Sequence, residues 1–183
     1  MELSQTHIIS HQNIKPFNIK INNKNVNFCV IPVNNKSIRE NFNWKEKNNY
    51  TGCIYSNPKK GLRHINMNEI ILIIEANMEI NEINGMGILI KEEPQFYKYK
   101  IYEDNNSNRY SYKGKYHFDK ESLVEMDNEF IENIEKLIFT GYWHLKRIDG
   151  ISLISKRLVE INEKLRDNKI DFTKFGLKFD KYI

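Results

Sequence analysis

Aromatic and basic side chains interleave at three places in this 183-residue chain, and together those two types have a chemistry. Cationic side chains attract phosphate oxygens, and exposed rings stack on the faces of unpaired bases. The segment "NWKEKNNY" sets Trp44 and Tyr50 beside Lys45 and Lys47, and "IYSNPKKGLRH" sets Tyr55 near Lys59, Lys60 and Arg63. The densest stretch, "RYSYKGKYHF", carries Tyr110, Tyr112, Tyr116 and Phe118 with Arg109, Lys113 and Lys115. Each stretch also has an ordinary reading. Rings alternating along a strand pack against cross-strand neighbours, and lysines solvate a sheet edge.

Residues for catalysis are scattered. Gly85 and Gly87 in "NGMGIL" lack the third glycine and following helix of a dinucleotide loop, so they read as a bulge or a close backbone approach. His144, beside Lys146 and Arg147, could serve as a general base or phosphate contact, but a structural or surface role suits it better. Glu92 and Glu93 are adjacent at a strand end and point to opposite faces, so they cannot easily share one substrate and read as solvated side chains. Cys29 and Cys53 are isolated, with neither disulfide nor zinc spacing, and Cys29 reads as a buried thiol. No enzyme, metal or cofactor is expected.

The elements that must position these side chains follow from periodicity. "FNIKI" (17–21) and "VNFCVIPV" (26–33) flank "NNKN" as a hairpin. Ile38 and Phe42 give "NKSIRENF" (35–42) one or two helical turns, leading to Trp44 on a loop. "GCIYS" (52–56) reads as a short strand. "EIILIIEA" (69–76) is apolar on both faces, "EINGMGILIKEE" (82–93) is its antiparallel partner, and "QFYKYKIY" (95–102) is a third strand. Met126, Phe130, Ile134 and Leu137 predict a helix over 120–138. "WHLKRI" (143–148) and "GISLI" (150–154) read as short strands, and Ile154, Leu158, Ile161 and Leu165 mark a second helix. The tail from Asp171 is basic and aromatic. The expected class is α+β: a mixed, largely antiparallel curved sheet or small β-barrel with helices packed around it. Residues 1–15 read as a loose tail, and 16–183 as one domain.

A net charge of +4 permits an anionic partner without requiring one. The longest apolar run, Ile70 to Ile74, is far too short to span a membrane, and the first residues lack the pattern of a secretion signal. An intracellular protein is expected. Heavy use of Asn, Ile and Lys, with a single alanine at Ala76, reads as the codon bias of an AT-rich genome, viral or parasitic.

The order of these segments adds a resemblance. "FCVIPVNNKSIRENFNW" resembles the opening of a YTH domain of the PUA superfamily, where a strand, a short helix and a tryptophan lead to a base pocket. "IILIIEANMEINEINGMGILIKEE" resembles the central strand pair that follows, and "YKGKYHF" the aromatic turn after it. "HLKRIDGISLISKRLVEINEKL" is similar to the closing segment. EVE domains share this layout. The resemblance, over about residues 26–166, implies a PUA-like fold that reads a base such as N6-methyladenine in RNA within an aromatic cage. By position, Trp44 would be one wall and Tyr112, in place of a tryptophan, the second. Asn34 or Asn35 would meet the base edge.

The expected function is a non-enzymatic module that encloses one base of RNA or single-stranded DNA, methylated or not. Trp44, Tyr112, Asn34, Asn35 and Tyr55 would serve the base. Lys59, Lys60, Arg63, Arg109, Lys113, Lys115, Lys146 and Arg147 would serve the phosphates. The competing expectation is a structural or protein-interaction domain, viral or parasite-specific, on the same scaffold without a working pocket.

Overall fold

The described chain opens on a hairpin whose turn is made by asparagines. The computed structural model describes residues 16–140, 145, 148–166 and 169–183. β1 (Asn18–Ile21) pairs antiparallel with β2 (Lys24–Val33) across Asn22 and Asn23, whose φ angles are 48° and 63°. Two consecutive left-handed residues are what a tight hairpin turn requires, and asparagine tolerates that conformation better than other side-chain-bearing residues.

β2 runs into α1 (Asn35–Lys47), which starts with a capping box. The Asn34 side chain accepts from the Ser37 amide at 2.7 Å, and the Ser37 hydroxyl accepts from the Asn34 amide at 3.0 Å. After β3 (Cys53–Asn57) the chain returns as β4 (Ile70–Asn77), parallel to β2, and turns back as the antiparallel β5 (Glu82–Ile90). β8 (Tyr116–Asp119) extends the sheet beyond β5. β9 (Ser152–Leu153) shares the outer edge of β2 with β1. A second sheet is built from β3, β7 (Tyr110–Gly114) and β6 (Gln95–Phe96), in the order β3-β7-β6. β7 and β8 are separated only by Lys115 yet belong to different sheets.

The alternation of β4 explains why two layers flank the larger sheet. Ile70, Leu72, Ile74 and Ala76 join Phe28, Val30, Met86 and Ile88 in one core, while Ile71 and Ile73 join Cys29, Cys53, Tyr55, Leu89 and Tyr112 in the other. The smaller sheet covers this second face. The first is covered by α2 (Lys120–Phe139) and α4 (Phe172–Leu177), with Val159 of α3 (Lys156–Arg166) also in that core. The tail supplies the largest rings. Phe172, Phe175 and Phe179 are almost inaccessible, and Phe175 lies flat on Phe130 at 3.7 Å. Full burial of a side chain this size is worth about 1.5–3 kcal/mol.

The α+β class stands, and the architecture is two open sheets instead of a closed barrel: β8 and the β1/β9 edge lie at opposite ends of the strand order and do not pair. Several local expectations change. α1 continues past Phe42 to Lys47, so Trp44 sits on the helix rather than on a loop; no breaker intervenes before the cap at Asn48. Only Gln95 and Phe96 of "QFYKYKIY" form a strand. Tyr97 turns left-handed at φ 48°, and the Asn108 carboxamide holds the amides of Ile101 and Tyr102 at 2.8 and 2.9 Å as a loop. α2 kinks at Asp127 (φ −163°, ψ 85°), whose carboxylate caps its second half through the Phe130 amide. In α3 the buried residues are Val159 and Asn162, and Leu165 is 71% exposed. Ile154 precedes the helix as strand-like backbone, its amide bonded to the Phe28 carbonyl, so it does not mark the helix face. The tail expected at 1–15 and most of "WHLKRI" lie outside the described residues. No helix among the described residues is long and apolar enough to cross a membrane.

Candidate functional site

The aromatic site starts where α1 ends. Asn49, with φ 48°, reverses the chain, and the Tyr50 amide donates back to the Lys45 carbonyl at 2.9 Å. Tyr50 therefore lies beside Trp44, edge to face, with centroids 6.1 Å apart. Tyr99, from the loop after β6, meets Trp44 in the same way at 5.6 Å. The Tyr50 hydroxyl donates to the Gly114 carbonyl and lies 3.3 Å from the Cys53 carbonyl. Burial, with smaller contributions from Cys53 and Tyr99, pushes this phenol up to about 12, so it stays neutral. Gly52 makes the approach possible: a Cβ there would fall 2.5 Å from the Tyr50 hydroxyl and 2.2 Å from the Gly114 carbonyl.

Tyr50 and Tyr99 line a surface groove of about 460 Å³, together with Tyr112, Lys98, Lys113, Lys115, Glu92 and Glu93, while Trp44 packs against the two tyrosines without lining it. The Lys113 ammonium lies 3.9 Å from the centre of the Tyr50 ring and 5.6 Å from that of Tyr99. Lys98 lies 5.5 Å from Tyr99. Cations at these distances are held by the negative ring faces. Further along the smaller sheet, the Arg109 guanidinium lies over Phe96 and Tyr110 at 5.7 and 5.3 Å, and Phe96 is 59% exposed.

The structure brings together only part of the expected base site. Tyr112 lines the groove but is 4% exposed, packs in the second core and donates its hydroxyl to the Gly61 carbonyl at 3.0 Å. Trp44 contacts Tyr50 and Tyr99. Asn34 caps α1, and Asn35 accepts from the Asn77 carboxamide at 3.0 Å. Asn34, the N-cap, and Trp44 are ten positions apart along the helix, about 15 Å along the axis, too far to serve one base. Tyr55 is inside the protein. Lys59 pairs with Asp149 and Lys60 with Glu93, Arg63 is exposed, and Lys115 lies over Tyr116. His144, Lys146 and Arg147 are outside the described residues. Sequence reasoning missed Tyr99 and Lys98. Their signal was the "YKYK" alternation, which suggested a strand.

A second cluster surrounds Glu75, buried between the sheets. Opposite it the β4–β5 register slips, pairing Glu75 with Gly85 and Ala76 with Ile83, and leaving Asn84 as the extra residue of a bulge. The Asn84 carboxamide donates to Glu75 Oε2 at 2.7 Å; on Oε1, Tyr55 donates at 2.9 Å and His117 Nε2 lies at 3.0 Å. Burial alone would raise the Glu75 carboxyl. The His117 bond and charge, with Asn84 and Tyr55, outweigh it and hold the group below the usual carboxylate range. The two glycines of "NGMG" make room: a Cβ on Gly87 would fall 2.2 Å from the Tyr55 hydroxyl, and one on Gly85 3.3 Å from Glu75 Oε2. With both oxygens engaged, this carboxylate acts as a lock between β3, β4, β5 and β8. Among the described residues, no group of three or more His, Cys, Asp or Glu side chains could hold a metal ion.

No family model, curated protein or solved structure matches this chain.

Proposed function

We propose that this chain is a non-enzymatic nucleic-acid-binding module that takes one unpaired base of RNA or single-stranded DNA into the groove beside Trp44, Tyr50 and Tyr99. The observation that carries this reading is the convergence of Tyr50 and Tyr99, both packed on Trp44, with Lys98, Lys113 and Lys115 around one concavity. Rings supply sequence-tolerant stacking, and ammonium groups supply phosphate contacts. The groove volume falls within the range of small-ligand pockets. Tyr112 then serves as the floor that holds β7 in place, the walls are Tyr50 and Tyr99, and Trp44 braces both of them. The order β2, α1, Trp44, then the β4–β5 pair supports a PUA-like scaffold of YTH or EVE type, and a methylated base such as N6-methyladenine is within its scope.

The test is a titration of labelled single-stranded RNA and DNA at low and moderate salt. Affinity should fall steeply with salt, by about 0.7 in log–log slope per phosphate contact. Trp44→Ala should remove most of the binding while leaving the fold intact. Absence of binding at low salt overturns the reading. The burial of Tyr112 favours a second one, an interaction domain on this scaffold with no base pocket. Absence of binding would select it, and equal oligonucleotide affinity of wild type and Trp44→Ala would sink the cage assignment even where binding is real.

A further inference from the structure

We infer that Lys113 is an internal occupant of the aromatic cleft formed by Tyr50 and Tyr99, and that the ligand which displaces it is a methylated base carrying a fixed positive charge. This inference rests on the nucleic-acid reading above and names the class of base.

Lys113 is an exposed residue of β7, free to extend into water, yet its ammonium lies 3.9 Å over the Tyr50 ring and 5.6 Å from the centre of Tyr99. Among the described residues it forms no ion pair, so the ring faces are what hold it. Trp44 makes a T-shaped contact with each tyrosine and supports their orientation. The Tyr50 hydroxyl is committed to main-chain carbonyls, which prevents its ring from turning away when the lysine leaves. An aromatic surface of this kind selects cations, because the quadrupole attracts positive charge that has lost its water.

Glu92 and Glu93 lie beyond the end of β5 and not on a strand, so contrary to the sequence expectation both line this groove and add negative potential, although Glu93 also pairs with Lys60. A neutral base would have to displace a cation and offer only stacking in return. A cationic base, such as N7-methylguanine or N1-methyladenine, supplies both the stacking and the charge that Lys113 now provides. The displaced Lys113 joins Lys98 and Lys115 on the phosphates.

The probes are the nucleosides N7-methylguanosine and guanosine, titrated calorimetrically, and short single-stranded RNAs carrying the same two bases or adenine and N6-methyladenine. The proteins are wild type and Lys113→Met, which keeps the aliphatic stem without the charge. Wild type should bind N7-methylguanosine at least about fivefold tighter than guanosine. Lys113→Met should tighten N7-methylguanosine binding by a further factor of about three to ten, since no internal cation then competes. A thermal melt of the variant should stay cooperative with a midpoint lowered by only about 2–4 °C, because the cation–ring contact is all that is lost. Equal affinity for the two nucleosides, or no gain in Lys113→Met, overturns the inference, and RNA binding that persists leaves the proposed function standing. If no RNA binds at low salt, the proposed function fails and the inference with it. A trimethyllysine peptide bound more tightly than any RNA also overturns it and makes the cage a reader of cationic peptides.

Discussion

The hydroxyl of Tyr50 donates to the carbonyl of Gly114, sixty-four residues further along the chain, and so ties the end of α1 to the last residue of β7. One side chain thereby serves two purposes: its polar end fixes the smaller sheet and its ring face forms the groove.

Substitutions at Tyr50 should separate those purposes. Tyr50→Phe keeps the ring and removes the tie, and should cost about 0.5–1.5 kcal/mol of stability in denaturant melts, with oligonucleotide affinity only slightly reduced. Tyr50→Ala removes the stacking surface as well, and should weaken oligonucleotide binding by about 1–3 kcal/mol. Equal affinities for the two variants would remove the ring from the site.

Gly114→Ala should be among the most disruptive conservative changes. Its new methyl group would fall 2.2 Å from the Ile88 carbonyl and 2.8 Å from Cys53 Sγ, where β7 crosses over β5. Overpacking of this kind costs about 1–3 kcal/mol, and the shift of β7 should also reduce RNA affinity. An unchanged melting temperature would show that the sheets can separate freely there.

Glu75 should make stability fall in acid. Its carboxyl is held below the usual value of 4.5 in the folded state. Its contribution is therefore present above that value and is lost as the pH falls through the lower, folded one. Glu75→Gln should lower stability at neutral pH by about 1–3 kcal/mol, because one donor on the buried group loses its acceptor. The variant should also show a flatter acid limb in melts as the pH falls below 4.5. Parallel acid limbs for the two proteins would contradict the lock.

Phe175→Ala should destabilise by about 3–5 kcal/mol, since it empties a site stacked on Phe130 and enclosed by Phe172 and Phe179. A change below about 1 kcal/mol would mean that the tail is not part of the core.

The strands were legible because their burial is written in their periodicity. β4 reads as apolar on both faces and is buried on both, and the hairpin at Asn22–Asn23 is announced by its turn residues. The C-terminal tail was not, because the three phenylalanines of 172–179 are interspersed with lysines, and local polarity masked their burial. At the groove, basic and aromatic composition singled out the segments involved but not which of their side chains line it. Tyr112 and Tyr99 look alike in sequence; which ring is floor and which is wall depends on Tyr97 turning left-handed and on Asn108 holding the following loop. The lock around Glu75 had no local signature, since Tyr55, Glu75, Asn84 and His117 come from four strands. The glycines of "NGMG" were its only visible trace.

The single residue between β7 and β8 also bears on the order of folding. β3 and β7 are separated by more than fifty residues, and closing that loop unaided is entropically costly. Once the β4–β5 hairpin has recruited β8, however, β7 is delivered beside β5 by its covalent attachment through Lys115, and only β3 remains to be captured. The larger sheet should therefore form the nucleus, with φ-values high for core positions such as Leu72 and Ile88 and near zero for Ile54. On that route the groove is the last part of the molecule to be assembled and the first to be lost on unfolding.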